Sequence, residues 1–287
     1  MRRRAAILAG ALLLTVAGCG DRPAGIDGDL TDGWRPMPAA QQFRPAAGTC
    51  HADLVDNGAA DQYVPVPCAG PHRAETVAVA DLTGAAGLAT PKDGLPRAYA
   101  ECSRRTTALL GADWRTGWLI MQPVLPGRNA WSGGARWFRC DVGEVSPVDG
   151  ALVDRSKSLR AAAPPWMACA DPKIDGDQVT EMHPVACAGR HKAEFAGLYQ
   201  AKRARSADLT AAELERGCGT AIAKFTRIPD DNNVQYRVGW LGFPPDDTAW
   251  QLGDRAVRCF LWLNGEPMTG SYRNAGSKKL KIQYEKN

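Results

Sequence analysis

One motif, written twice, constrains this chain more than any other feature. Val-Pro-Cys-Ala-Gly-Pro-His-Arg-Ala-Glu fills positions 66–75, and Val-Ala-Cys-Ala-Gly-Arg-His-Lys-Ala-Glu fills positions 185–194. Cys68, His72 and Glu75 thus return as Cys187, His191 and Glu194 after 119 residues. The same displacement carries Cys50 to Cys169, Trp131 to Trp250, Arg136 to Arg255 and Cys140 to Cys259. Cys102 returns as Cys218 after 116 residues, the difference being absorbed by loops. The ends echo as well, Ser156-Lys157-Ser158-Leu159 against Ser277-Lys278-Lys279-Leu280. A period this long is that of a whole domain rather than of a solenoid repeat.

The first residues set the compartment. Arg2, Arg3 and Arg4 precede an apolar run that ends at Val16-Ala17-Gly18-Cys19. The run is shorter than the roughly 20 residues a membrane-spanning helix needs, and it reads as a secretory signal over residues 1–18. Small residues leading straight into Cys19 resemble a bacterial lipobox, which implies cleavage before Cys19, a lipidated sulfur and a membrane anchor on the extracytoplasmic face. Sec and twin-Arg export are not distinguished. The three leader arginines also inflate the charge: without them, 32 basic residues face 31 acidic ones, a net charge of +1. No basic field is left to attract nucleic acid.

Beyond Cys19 the chain holds eight more cysteines, four per copy. An even number in an exported protein favours disulfides. Residues 19–45 are rich in Gly, Pro and Asp without apolar period and read as a tether. Copy 1 then spans residues 46–160, residues 161–165 (Ala-Ala-Ala-Pro-Pro) form a joint, and copy 2 spans residues 166–287. Within copy 1, residues 63–68 and 74–82 read as short strands, and residues 96–111 as a helix opened by Pro96 and closed near Gly111. Its counterpart opens at Thr210 with Glu213 three residues on, a capping box. Residues 117–124 and 135–142 then match residues 239–245 and 254–263. These patterns predict an α+β fold, made twice, of a small antiparallel sheet with one packed helix.

Cys218 on the apolar stripe of a helix and Cys259 on the apolar face of a strand both point inward. That placement predicts Cys102–Cys140 and Cys218–Cys259, leaving Cys50–Cys68 and Cys169–Cys187. Four cysteines allow three connectivities, and sequence does not exclude the other two. A bridged Cys68 is neither a nucleophile nor a thiolate ligand. For zinc, His72 and Glu75 would project to opposite faces of an extended segment unless the turn at Pro71 redirects one. His72 and His191 are expected to close a turn through a backbone hydrogen bond, with a ligand role as the alternative. Glu75 falls in phase with Val77 and Val79, and Arg136 shares the parity of Cys140, so ion pairs Glu75–Arg136 and Glu194–Arg255 compete with solvated strand-end charges. His51 and His183, with no counterparts, read as surface. Trp131 and Trp250 read as core anchors. No hydrolase, metalloprotease, phosphate-loop or dinucleotide signature is present, so the chain is expected to be no enzyme and to use no cofactor.

Taken together, a leading Cys, then V-P-C-x-x-P-H-x-x-E, a helical Cys and W-x-x-G-x-R-x-x-x-C resemble the septum-formation domain of actinobacterial envelope proteins. Copy 1 carries the pattern at Cys50, Val66, Pro67, Cys68, Pro71, His72, Glu75, Cys102, Trp131, Gly134, Arg136 and Cys140. Copy 2 carries it at Cys169, Cys187, His191, Glu194, Cys218, Trp250, Gly253, Arg255 and Cys259, but Ala186 and Arg190 replace the two prolines. The resemblance implies an extracytoplasmic envelope protein linked to septation, and no catalytic residues. The expected function is non-catalytic binding of an envelope protein or polymer, or a structural role. The alternative is an envelope hydrolase, or a metal or small-molecule sensor, with its site between the copies.

Overall fold

A computed structural model describes residues 42–283 apart from Asp177, Asn264 and Glu266. The signal segment, Cys19 and most of the tether lie outside the described residues. In copy 1 the elements run β1 (Thr49–His51), β2 (Pro65–Val66), β3 (Ala74–Asp81), α1 (Pro91–Leu110), β4 (Leu119–Val124), α2 (Arg128–Ser132) and β5 (Trp137–Glu144). Copy 2 repeats them with one strand added, β8, as β6 (Cys169–Asp175), β7 (Gln178–Val185), β8 (Arg190–His191), β9 (Ala193–Gln200), α3 (Ala211–Thr226), β10 (Gly239–Phe243), α4 (Asp247–Gln251) and β11 (Ala256–Trp262). Two short elements follow, β12 (Met268–Thr269) and α5 (Gly276–Lys279).

Both sheets are antiparallel with one topology. The first has the order β2-β1-β3-β5-β4 and the second β10-β11-β9-β6-β7, the same order read from the other edge. Each takes one long helix on one face. Phe138, Cys140 and Val142 alternate toward α1 and are buried with Val77, Ala98, Tyr99 and Cys102. In copy 2, Val257, Cys259 and Leu261 face α3 in the same manner. Gly217 lets α3 approach its sheet, since a Cβ there would stand 2.3 Å from the Tyr199 ring.

The helices depart from expectation at one end. Helix α1 begins at Pro91 and not at Pro96, which sits inside it. The start is fixed by Thr90, whose backbone N–H donates to Asp93 Oδ2 at 2.9 Å, and by Pro91, whose missing N–H costs nothing in a first turn. Helix α3 opens as expected: Thr210 N–H donates to Glu213 Oε2 at 3.1 Å, and Glu213 N–H to Thr210 Oγ1 at 3.3 Å.

Strand register corrects two readings of phase. Pro123 lies opposite Cys140 and Gly242 opposite Cys259, so the true displacement is 119 and the matching Gly-Trp-Leu triplets at 117 and 239 are not equivalent. The offset of three is odd, which turns Trp118 to the face opposite that of Trp240. A β-bulge also interrupts β3, between Thr76 and Ala78, and the pairing of β11 with β9 shifts at Cys259–Phe260, where residue 196 is skipped. Glu75 therefore shares a face with Val77 but not with Val79.

The copies touch through their joint. Trp118 N–H donates to Pro165 O at 3.0 Å and Met167 N–H to Thr116 O at 2.8 Å. Trp118 then stacks on Phe260 at a ring distance of 6.4 Å, covering the helix-free face of the second sheet.

Candidate functional site

Four disulfides close the two copies: Cys50–Cys68, Cys102–Cys140, Cys169–Cys187 and Cys218–Cys259. The second bond of each copy ties the long helix to the last strand, and all four of its sulfurs are fully buried. The first bond ties β1 or β6 to the turn before β3 or β9, and its Cys68 or Cys187 end is partly exposed.

Beside that first bond stand the motif His and Glu. His72 and His191 are 1% and 0% exposed. In each, Nδ1 lies 2.9 Å from a backbone carbonyl, Gly70 O or Gly189 O. The turn-closing hydrogen bond is thus present in both copies. A second anchor comes from the chain that follows each last strand: His72 pairs in antiparallel fashion with Arg155, and His191 with Met268 in β12. His72 and Glu75 do not project to opposite faces, because the turn at Pro71 and the bridge to Arg155 bring His72 onto the side of Glu75. An imidazole nitrogen of His72, a Glu75 carboxylate oxygen and Cys50 Sγ lie within 4.8 Å of one another, and in copy 2 so do Cys169 Sγ, Cys187 Sγ and a Glu194 oxygen.

The glutamates are buried, 2% and 4% exposed, but the arginines are not their partners. Ser158 Oγ donates to Glu75 Oε1 at 2.8 Å and Leu159 N–H to Oε2 at 2.7 Å. In copy 2, Ser271 Oγ donates to Glu194 Oε1, and Tyr272 N–H donates to Oε2 at 2.7 Å. The tails therefore correspond as Ser158-Leu159-Arg160 and Ser271-Tyr272-Arg273, a displacement of 113, and not through Ser156 and Ser277. Arg136 and Arg255 stand at the far end of the last strand. Glu75 pairs with Val142, six residues from Arg136 and so about 20 Å along the strand. Arg136 Nη1 instead donates to Trp131 O at 2.6 Å with its guanidinium 4.1 Å from the Trp131 ring centroid, and Arg255 does the same at Trp250, at 2.5 Å and 4.6 Å. Each Arg closes the C-terminal end of a short helix and covers a tryptophan that is 2% exposed.

With this geometry in place, the comparison with known families decides the lineage: a family described as septum formation matches residues 47–259. The chain belongs to the septum-formation family. The family match runs across both copies, from just before Cys50 to Cys259, and stops short of the Ser271 tail that holds Glu194. No curated protein and no solved structure shows a significant match.

Within this septum-formation chain the copies have diverged on the helix-free faces of their sheets. In copy 1 that face is polar and buried. His51 is 4% exposed, not at the surface, while His183 does lie at the surface beside Glu181. His51 Nε2 lies 2.9 Å from Thr76 Oγ1, and Thr76 Oγ1 donates to Asp141 Oδ1 at 2.6 Å. Arg139 Nε lies 2.9 Å from Asp141 Oδ2, and the Arg139 guanidinium lies 5.3 Å from the Tyr63 ring centroid. Burial, and then the Arg139 charge, push the His51 pKa down to about 4. Burial also pushes Asp141 up. At the matching positions copy 2 has Ala170, Phe195 and Phe260, with only the Arg retained as Arg258. That apolar face receives Trp118. The sole signal in sequence for His51 was its period-2 spacing from Thr49 in a three-residue strand, too short to read.

Arg258 and Asp254 complete the contact between copies. Arg258 Nε donates to Arg115 O at 2.9 Å, and Tyr99 Oη donates to Asp254 Oδ2 at 2.7 Å. Arg115 Nε reaches both Asp254 oxygens at 3.0 Å. Burial and the Asp254 charge hold the Tyr99 hydroxyl protonated far above its ordinary range. A cavity of about 410 Å³ opens elsewhere, in copy 2, between α3 and the loop leading to β10. Ile222, Val234, Val238 and Trp240 give it apolar walls, and on its rim Glu215, Asp230 and Asp231 outnumber Arg216.

Proposed function

We propose that this chain is an extracytoplasmic lipoprotein of the cell envelope, anchored through Cys19, that contributes to septation by binding or scaffolding rather than by catalysis. What supports the reading is where the motif chemistry goes. Every cysteine of the repeat is in a disulfide, both motif carboxylates are hydrogen-bonded by their own tails, and both motif arginines close helix ends. Such a site positions backbone and leaves no nucleophile paired with a base. Family membership supports the septal link, and the disulfides suit an oxidising compartment.

Two measurements test it. Palmitate labelling and membrane partition should both be lost in Cys19→Ala. Cells lacking the protein should divide late and grow long, with rescue by the wild type. Normal division without the protein, or hydrolysis of envelope polymer by the purified chain, defeats the proposal. The copy 2 cavity favours a second reading, a small-molecule sensor, whose ligand would carry an apolar body and a cationic group to match the acidic rim.

A further inference from the structure

One group in each copy is left over once the fold has used the others. Nδ1 of His72 and of His191 faces a carbonyl, which only accepts, so Nδ1 carries the proton. In a neutral ring Nε2 is then a bare lone pair, and in both copies it is buried with no hydrogen-bond partner. A buried acceptor without a donor costs stability, and here the cost is incurred twice at equivalent positions. An imidazole with Nδ1–H held by a backbone carbonyl and Nε2 free is in the tautomer and orientation of a metal ligand. The carboxylate beside it is likewise oriented by a hydroxyl and a backbone N–H, the arrangement that steadies a ligating carboxylate. In copy 1 Cys50 Sγ completes the group with His72 and Glu75, and in copy 2 Cys169 Sγ and Cys187 Sγ lie within 4.8 Å of a Glu194 oxygen while His191, at the position equivalent to His72, stands outside that group. These sulfurs belong to the one disulfide in each copy that has a solvent-accessible end.

We propose that each copy is a latent, redox-gated zinc site. A small dithiol reductant opens Cys50–Cys68 and Cys169–Cys187 by exchange, each disulfide gaining two electrons and two protons while the dithiol becomes a disulfide. One Zn²⁺ then enters each copy and displaces the two thiol protons. The ligands are Cys50, Cys68, His72 and Glu75 in copy 1, and Cys169, Cys187, His191 and Glu194 in copy 2. Two sulfurs, one nitrogen and one oxygen suit the tetrahedral preference and borderline softness of zinc. The buried bonds Cys102–Cys140 and Cys218–Cys259 stay closed and keep the long helices on their sheets.

The test treats the full-length chain with dithiothreitol without denaturant, maps the open thiols by alkylation and mass spectrometry, and titrates with Co²⁺ and then Zn²⁺ under argon. The expected result is alkylation at Cys50, Cys68, Cys169 and Cys187, two Co²⁺ per chain with tetrahedral visible bands and thiolate charge transfer, and displacement by Zn²⁺. His72→Ala and His191→Ala should each remove one equivalent, and the oxidised chain should bind none. X-ray absorption of the zinc-loaded wild type, expected to show two sulfurs per zinc, gives a readout that needs no variant to fold. Absence of Co²⁺ binding after reduction overturns the proposal. So does retention of both equivalents in the double His variant, or loss of helical circular dichroism before metal binds.

Discussion

The motif glutamates hold the chain that follows their own sheets. Glu75 accepts from Ser158 and Leu159, Glu194 from Ser271 and Tyr272, so each carboxylate fixes a tail that would otherwise leave the core. Hydrogen bonds to a charged acceptor contribute about 1.5–3 kcal/mol. Glu75→Gln should lower stability by that amount in urea denaturation, and Ser158→Ala by less, since Leu159 N–H remains. His51 adds a pH dependence. Its folded pKa of about 4 lies below the unfolded 6.5, so the neutral ring is the one the fold tolerates. Its contribution is complete above pH 6.5 and is lost as pH falls toward 4, by roughly 3 kcal/mol over that window. The charged and titratable groups facing it are Arg139, Asp141 and Tyr63. Asp141, raised by burial, opposes the trend toward the acid end. Denaturant midpoints between pH 7 and 4 should fall in the wild type and flatten in His51→Phe. A wild-type profile already flat over that range excludes the account.

At the scale of elements, helix ends and β-bulges decide what faces what. Thr210→Ala removes a capping side chain and should cost about 1 kcal/mol by thermal or urea melting. Gly217→Ala drives a Cβ into the Tyr199 ring and should cost about 1–3 kcal/mol through overpacking. The capping box of α3 was legible because Thr210 and Glu213 stand three residues apart and bond each other. Thr90 and Asp93 carry the same signal for α1, but Pro96 mimics a helix start and masked it. The bulges were not legible. An extra residue in one strand is defined only by the strand opposite, and parity counted along β3 alone placed Glu75 with Val79.

For the whole molecule, the question is whether the copies unfold together. Asp254 is shared by Tyr99 and Arg115 of the other copy, and Arg258 is bound by copy 1 carbonyls. Asp254→Ala leaves the largely buried Arg115 with only Asp113 and should cost about 3 kcal/mol. The wild type should unfold in a single denaturation transition that splits in the variant, with faster proteolysis near residues 161–165. An unsplit transition with unchanged proteolysis would show that the apolar contact of Trp118 with Phe260 suffices.

What sequence by itself determined is the local order that repeats. The Cys, His and Glu order, recurring after 119 residues, carried the duplicated α+β unit and the two staples per copy, because equal spacing in one chain folds into equal local structure. The tertiary structure decided everything that differs between the copies or joins distant segments. The carboxylate partners come from tails that resemble each other only in a Ser and an Arg, and His51 is buried with the Tyr63 ring packed against it at 5.3 Å and Phe43 against Tyr63. Trp118 reached Phe260 because an odd slip of register turned it to the other side. These are long-range pairings, fixed by which surfaces meet, and local spacing carries no information about them.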